Sequence, residues 1–516
     1  MKKPAKSIIL IIFLVIPSLN SFSDNNTKID FRIDRARELL AKNDFIGASI
    51  LAKEVIDTSD KKPDIALAHK IKGDIYGDFF EYYEKAIEEY NKALFLSVDK
   101  NNSGEIYLKL GKAFFEMRDY TKSQDKLKYF LMNYPDAEQR ETAELILRQC
   151  EDYIMEISLG KQSLEWRKNY SNEEIRVVFK RGKSFRIGSK EGIKIFYFSG
   201  INNCIPKRET EISVSKNGIV VDSKDSPFQQ ITIEPENRHL ITIDGKHLRG
   251  KITALKDNDE LLIINRLNIE EYLYGVLPKE VSPNWNIEAL KAQAIASRTY
   301  ALFRAKLSRN KPFDLDATKF SQVYGGFDKE NKTSNNAVDL TKGKVITYKG
   351  KLILAYFHSN SGGFLEDSEN VWGIDLPYLD ENKDEFSIDF PDYKWSYSIK
   401  LIELEKLLND NGIKVSKIFE IVPVKKSRYG RIVKVSISHQ GGKLELNGNT
   451  FRLKIGPYNM KSTLCEIRKK GNLVEFSGRG FGHGVGMSQW GAYSMAKKGY
   501  SCKDILAFYY KETEIR

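Results

Sequence analysis

At 516 residues the chain is long enough for two or three domains, each with a core of its own. Its 41% hydrophobic and 29% charged residues are an ordinary globular balance, which excludes a fibrous or wholly disordered chain. The net charge of +12 suits an acidic partner: nucleic acid, anionic lipid or an anionic wall polymer. Without basic blocks interleaved with aromatics, or any zinc-finger or RNA-binding signature, no nucleic-acid partner is expected.

Lys2, Lys3 and Lys6 precede the apolar run Ile8–Ile16, followed by Pro17 and the small-residue site Ser21-Phe22-Ser23. Basic end, short apolar stretch and small-x-small give residues 1–23 the layout of a secretory signal peptide. Uncleaved, the same segment would be a membrane tether. Either way the expectation is an exported protein of the periplasm or cell envelope. Cys150, Cys204, Cys465 and Cys502 form no C-x-x-C pair. Export permits a disulfide between Cys465 and Cys502, but single buried thiols are the simpler reading. The cysteine and histidine spacing supports no zinc site.

Residues 24–158 read as helical repeats. Leu110-Gly111, Phe114, Ser123, Leu127, Phe130 and Pro135 follow tetratricopeptide spacing. Gly73, Tyr76, Ala86, Tyr90 and Ala93 repeat it, and Ala36, Leu39, Ala48, Ala52 and Val55 form a degenerate first copy. Such an array offers a concave face for a protein or peptide, or serves as a plain spacer. As an independent stack it should be removable, leaving a chain from Gly160 that folds and works alone.

From 159 to 267, short β-type runs such as "EIRVVF", "SFRIG", "IKIFYF" and "ELLIINRL" alternate with Gly, Asn, Asp and Lys, predicting a β-rich module. An alanine-rich helix follows at Asn286–Leu307, with Asn286 as N-cap and Glu288 in its first turn. Residues 268–516 then mix strands and helices, and the whole is α+β.

Three stretches carry candidate chemistry. Glu280 in "LPKEVSP" has apolar neighbours that would raise its pKa, and an adjacent helix N-terminus that would lower it. "YFHSNSGG" gathers His358, Ser359 and Ser361 beside a glycine turn; without a G-x-S-x-G elbow it suits hydrogen bonding to a sugar better than nucleophilic catalysis. "GRGFGHGVG" places glycine at every second position from Gly478 to Gly486. As an extended strand it would present one bare backbone face to a flat polymer. Otherwise these glycines serve tight packing around His483.

The stretches "NRLNIEEYLYGVLPKEVSPNWNIEALKAQAIASRTYA", "FSQVYGGFDKENKTSNNAVDLTKGKVITYKGKLILAYFHSNSGGFLEDSENVWG" and "GRGFGHGVGMSQWGAYSMAKKGYSCKDILAFYY" resemble the SpoIID/LytB family of sporulation proteins and amidase enhancers. That resemblance implies an exported lytic transglycosylase that cuts peptidoglycan glycan strands lacking stem peptides, with Glu280 catalytic. It implies substrate contacts at Gln293, Arg298, Gln322, His358, Ser359, Ser361, His483, Gly484, Ser488 and Gln489. Some members carry zinc on cysteines just after the "HS" histidine. Here that position reads "SNSGG", so no metal or other cofactor is expected. The alternative reading is a non-catalytic wall-binding scaffold or amidase activator, the helical repeats holding the amidase or another envelope protein.

Overall fold

The computed structural model describes residues 29–97, 100–158, 170–197, 207–317, 322–388, 390 and 393–516. The signal-like segment and Cys204 lie outside the described residues. No helix among those described is long and apolar enough to cross a membrane.

Seven helices come first: Phe31–Ala41, Phe45–Thr58, Lys62–Asp74, Tyr83–Leu96, Lys100–Glu116, Tyr120–Asn133 and Arg140–Ser158. Asp30, Asp44 and Asp119 cap three of them by accepting backbone N–H groups. Consecutive helices pack because small residues let large ones in. Ala36, Ala48, Ala52 and Ala93 are fully buried, and Gly111 lies so close to Leu127 that an added Cβ would sit 2.6 Å from it.

A ten-stranded, mainly antiparallel sheet follows. Its period-2 alternation is regular: Ile231 and Ile233, Ile241 and Ile243, and Ile252 and Ala254 all point inward. "SFRIG" and "IKIFYF" are halves of one strand, Ser184–Tyr197, whose register breaks between Gly188 and Ile193. The last long strand, Glu260–Asn268, runs straight into the helix Ile269–Glu280, and a turn leads to the alanine-rich helix Ile287–Leu307. Asn286 caps the latter as expected, accepting from the Glu288 N–H at 2.9 Å.

Within residues 394–479 a second apolar core forms, built on Trp395, Leu404, Leu408, Val435, Ile437, Phe451, Val474 and Phe476. Two three-stranded sheets and the helices Leu401–Asp410 and Gly448–Ile455 surround it. Cys465 is buried in this core, whereas Cys502 packs on the main one; both are free thiols.

The helical array is not an independent stack. One apolar core runs without a break from Ile33 through the sheet and the alanine-rich helix to Tyr510. Across the seam the Phe80 and Phe303 rings lie 5.6 Å apart, and Tyr82 meets Tyr348 edge-on at 5.8 Å. The Ser49 hydroxyl donates to the Gly373 carbonyl at 2.9 Å, and Lys85 pairs with Asp375 at 2.7 Å. The expectation that a chain from Gly160 would fold alone is corrected by this shared core.

Candidate active site

Asn268 starts the helix that carries Glu280, its side chain accepting from the Glu270 N–H at 2.9 Å. Tyr272, Leu273, Val276 and Leu277 bury one face. The helix continues through Pro278 and ends on Glu280 itself. The carboxyl therefore sits at a helix C-terminus, where the backbone dipole disfavours an anion, and not in a loop before the next helix. Burial, the largest influence, raises its pKa above the ordinary carboxylate range. The Val323 N–H, donating to Oε1 at 3.1 Å, the Gln489 side chain and Lys279 pull the other way without overcoming it.

Glu280 lines a cleft of about 400 Å³ between the two apolar cores. The main body contributes Tyr300, Tyr356, His358, Ser359, Gly482, His483 and Gln489; the second lobe contributes Arg452, Leu453, Pro457 and Tyr458. A parallel pairing of Phe357–His358 with Met487–Ser488 brings the "YFHSNSGG" and glycine-rich stretches together. His358 Nδ1 lies 3.1 Å from the Val485 carbonyl, so Nδ1 bears the proton and Nε2 the lone pair. Nε2 has no partner within the protein. His483 is the reverse tautomer, its Nδ1 accepting from the Val485 N–H at 3.1 Å. Burial drives the His358 pKa well below its usual value and that of His483 to about 3, and buried cations nearby add to both. Both rings are neutral. His358 Nε2 thus carries a buried lone pair that no group of the protein uses.

Other nominated residues stand behind this wall. Gln322 is 1% exposed; its side chain takes the Tyr272 hydroxyl at 3.1 Å and donates to the Ser297 carbonyl at 3.3 Å. That clamp fixes the neighbouring Val323 N–H on Glu280. Gln293, also buried, donates to the Ser297 hydroxyl at 3.1 Å. Ser361 and Ser488 are fully buried in a network centred on Asp384, which accepts from Ser361, Ser387 and Tyr509. Sequence reasoning missed Asp384, which lies in a stretch of ordinary surface composition.

Arg298 also departs from the expected groove. It is wholly buried and paired with buried Glu270 at 2.6 Å, and Glu270 in turn accepts from the Gly343 N–H at 2.9 Å. Removing one member of such a pair strands the other charge. Arg298→Ala should cost about 3–5 kcal/mol of stability, read as a lowered melting temperature, and lose activity only through misfolding.

The glycine-rich stretch is not an extended strand with a bare face. Only its start, to Arg479, is strand. Gly480, Gly482, Gly484 and Gly486 have φ of +78°, +121°, +87° and +69°, in the region open to glycine. Added Cβ atoms would strike the Asn360 carbonyl, His358, the Arg431 guanidinium and the Tyr356 carbonyl respectively. Gly482 alone of these four reaches the cleft, whereas Gly484 is buried against Arg431. Gly484→Val should therefore lower stability by about 2–5 kcal/mol through backbone strain and overpacking. A variant that melts normally but binds ligand poorly would restore the bare-face reading.

The family-implied zinc does not fit. No cysteine adjoins His358, Cys465 is committed to the second core, and among the described residues no three His, Cys, Asp or Glu side chains gather to hold a metal ion.

Fold and cleft define a two-lobed α+β protein with Glu280 in a polar and aromatic groove. The chain belongs to the stage II sporulation protein D family. Residues 257–348 match that family, described as "Stage II sporulation protein", and residues 367–486 match a domain of unknown function. The chain is 33% identical to stage II sporulation protein D of Bacillus subtilis over 49% of this chain and 75% of that one. An uncharacterized protein of Brachyspira hyodysenteriae is 34% identical over 61% of this chain and 81% of its own. The Bacillus subtilis amidase enhancer is 30% identical, covering 55% of this chain and 46% of that protein. Among solved structures, the Sgt2 tetratricopeptide domain of Aspergillus fumigatus aligns with 27% of this chain and 87% of its own, at 14% identity and a TM-score of 0.22.

Proposed function

We propose that this chain is an exported cell-wall enzyme, a lytic transglycosylase that cleaves peptidoglycan glycan strands without water. Family membership supports a wall-remodelling role, and the N-terminal sequence pattern supports export. The observation that carries the reaction class is that, among the described residues, Glu280 is the only carboxylate lining the cleft. Glycoside hydrolysis ordinarily needs two, one to protonate the leaving oxygen and one to attack or to activate water. A muramic acid unit carries its own nucleophile. Glu280, in the protonated form that burial favours, donates its proton to the bridging oxygen as the glycosidic bond breaks. The sugar's C6 hydroxyl attacks C1 and returns its proton to the carboxylate, leaving a 1,6-anhydro end and a regenerated acid. His358 Nε2 and the Ser359 hydroxyl orient sugar hydroxyls, and Gln489 holds the acid in place.

The second reading, a non-catalytic glycan-binding activator, draws on the likeness to an amidase enhancer. Digestion of purified stem-peptide-free strands by the full chain separates the two. We expect 1,6-anhydro-ended products, unchanged by a chelator. Ordinary reducing ends would point to hydrolysis. Intact strands, with stimulation of an added amidase, would favour the activator. The exposed Phe95 and Met132 of the helical array are candidate contacts for an envelope protein.

A further inference from the structure

Two buried arginines of the second lobe make no direct ion pair with a described residue. Arg452, on the helix Gly448–Ile455, is 5% exposed and lines the same cleft as Glu280. Its Nε donates to Asn449 Oδ1 at 3.0 Å and its Nη1 to the Lys461 carbonyl at 3.4 Å, both neutral acceptors. Arg431 lies against Gly484, below the cleft floor, and is 1% exposed. Its Nη2 serves the Ser361 and Phe364 carbonyls, while Nε and Nη1 have no partner in the protein. Neither forms an ion pair with a described carboxylate: buried Glu366 attracts Arg431 only from a greater distance, and the one charge acting on Arg452 is the repulsion of Arg431. Buried charges are normally paired, because leaving one unpaired costs far more than a surface mismatch. Elsewhere the chain obeys that rule, as at Arg298 with Glu270 and Arg176 with Asp314.

We infer that Arg452, with the charge of Arg431 behind it, binds a carboxylate carried by the glycan itself: the lactyl carboxylate of a muramic acid residue. This rests on the glycan reading above and supplies its specificity. A lactyl group is anionic only when it is free; joined to a stem peptide it becomes a neutral amide with a bulky substituent. A planar guanidinium on the cleft wall accepts the first and excludes the second. The second lobe is thus the part of the chain that tests whether the peptide has been removed. Tyr458, 69% exposed in the same cleft, offers a ring for the sugar face.

The test is equilibrium binding by the full-length chain to three probes: peptide-free strands, the same strands with carboxylates reduced to alcohols, and a chitin hexamer. We expect the native strands to bind at least about tenfold more tightly than the reduced ones, the scale of one charge-assisted hydrogen bond. Arg452→Gln should erase that difference without changing hexamer affinity, and Arg452→Lys should restore part of it. The comparison of native with reduced strands needs no variant, so a misfolded Arg452→Gln leaves the question answerable. Equal binding of native and reduced strands by the unaltered protein would overturn the carboxylate site and leave the glycan reading standing. Failure to bind all three probes would overturn the glycan reading and this inference with it.

Discussion

A chain truncated to begin at Tyr170 is expected to be insoluble, or soluble without a sharp thermal transition. The helical array supplies one wall of the main core, so its loss exposes Phe303 and Tyr348 to water. Stranding buried Phe303 alone forfeits about 1.5–3 kcal/mol, and half-buried Tyr348 adds to it, against a typical total of about 5–15 kcal/mol. The ion pairs left unmatched, Lys306 with Glu81 and Lys349 with Glu84, are partly exposed and add little. Damage also reaches the cleft by a short route. Gly373, with φ +73°, lies hard against the Ser49 backbone, and the adjoining Trp372 ring packs 5.0 Å from His483. Without the array the helix Ser368–Trp372 loses its support and His483 loses a packing face. Circular dichroism and a thermal melt of the truncated chain check this. A cooperative melt near that of the full chain, with turnover retained, would restore the idea of a detachable adaptor.

Legibility in the sequence followed the length and regularity of each signal. The alanine-rich helix announced itself by its Asn286 cap and its run of small residues, and the sheet strands by alternating apolar positions. "LPKEVSP" read as a loop because two prolines bracket Glu280, yet Pro278 is accommodated inside the last turn of the helix. This changed the sign of the dipole's effect on the carboxyl. Alternating glycine suggests a strand, but alternation in residue type does not encode φ; the positive values at Gly480 to Gly486 arise from close contact with three separate segments. The second lobe was invisible as a unit because its strands are rich in lysine and its core is small. Arg452 and Arg431 lie on that lobe, and the Val323 N–H is a backbone group that any residue would provide. Family resemblance found the right neighbourhood for Gln293, Arg298 and Gln322. It could not tell a cleft wall from the layer beneath it.

Glu280→Gln should abolish turnover while making the protein more stable at neutral pH. Glutamine retains the shape and can accept the Val323 N–H, so fold and glycan binding persist. It has no acidic proton, and the only carboxylate that the described residues place in the cleft is gone. Loss of a general acid of this kind costs at least about 10²-fold in rate. The stability effect follows from the raised pKa. The folded chain holds the Glu280 proton at pH values where the unfolded chain, with an ordinary glutamate pKa of about 4.3, has released it. The stability this contributes is complete below the unfolded pKa and is lost as pH rises through the folded one. At low pH the two proteins should melt alike; above the raised pKa only the wild type bears a partly buried, poorly compensated anion, and the variant should melt higher. By the same logic wild-type activity falls on the alkaline side as the acid ionises. Anhydro-product assays and melts across pH 3–8 read both effects on one pair of proteins. Near-normal turnover in the variant would name the wrong residue. A pH-independent melting difference alongside lost turnover would keep the residue, but remove the account of how burial arms it.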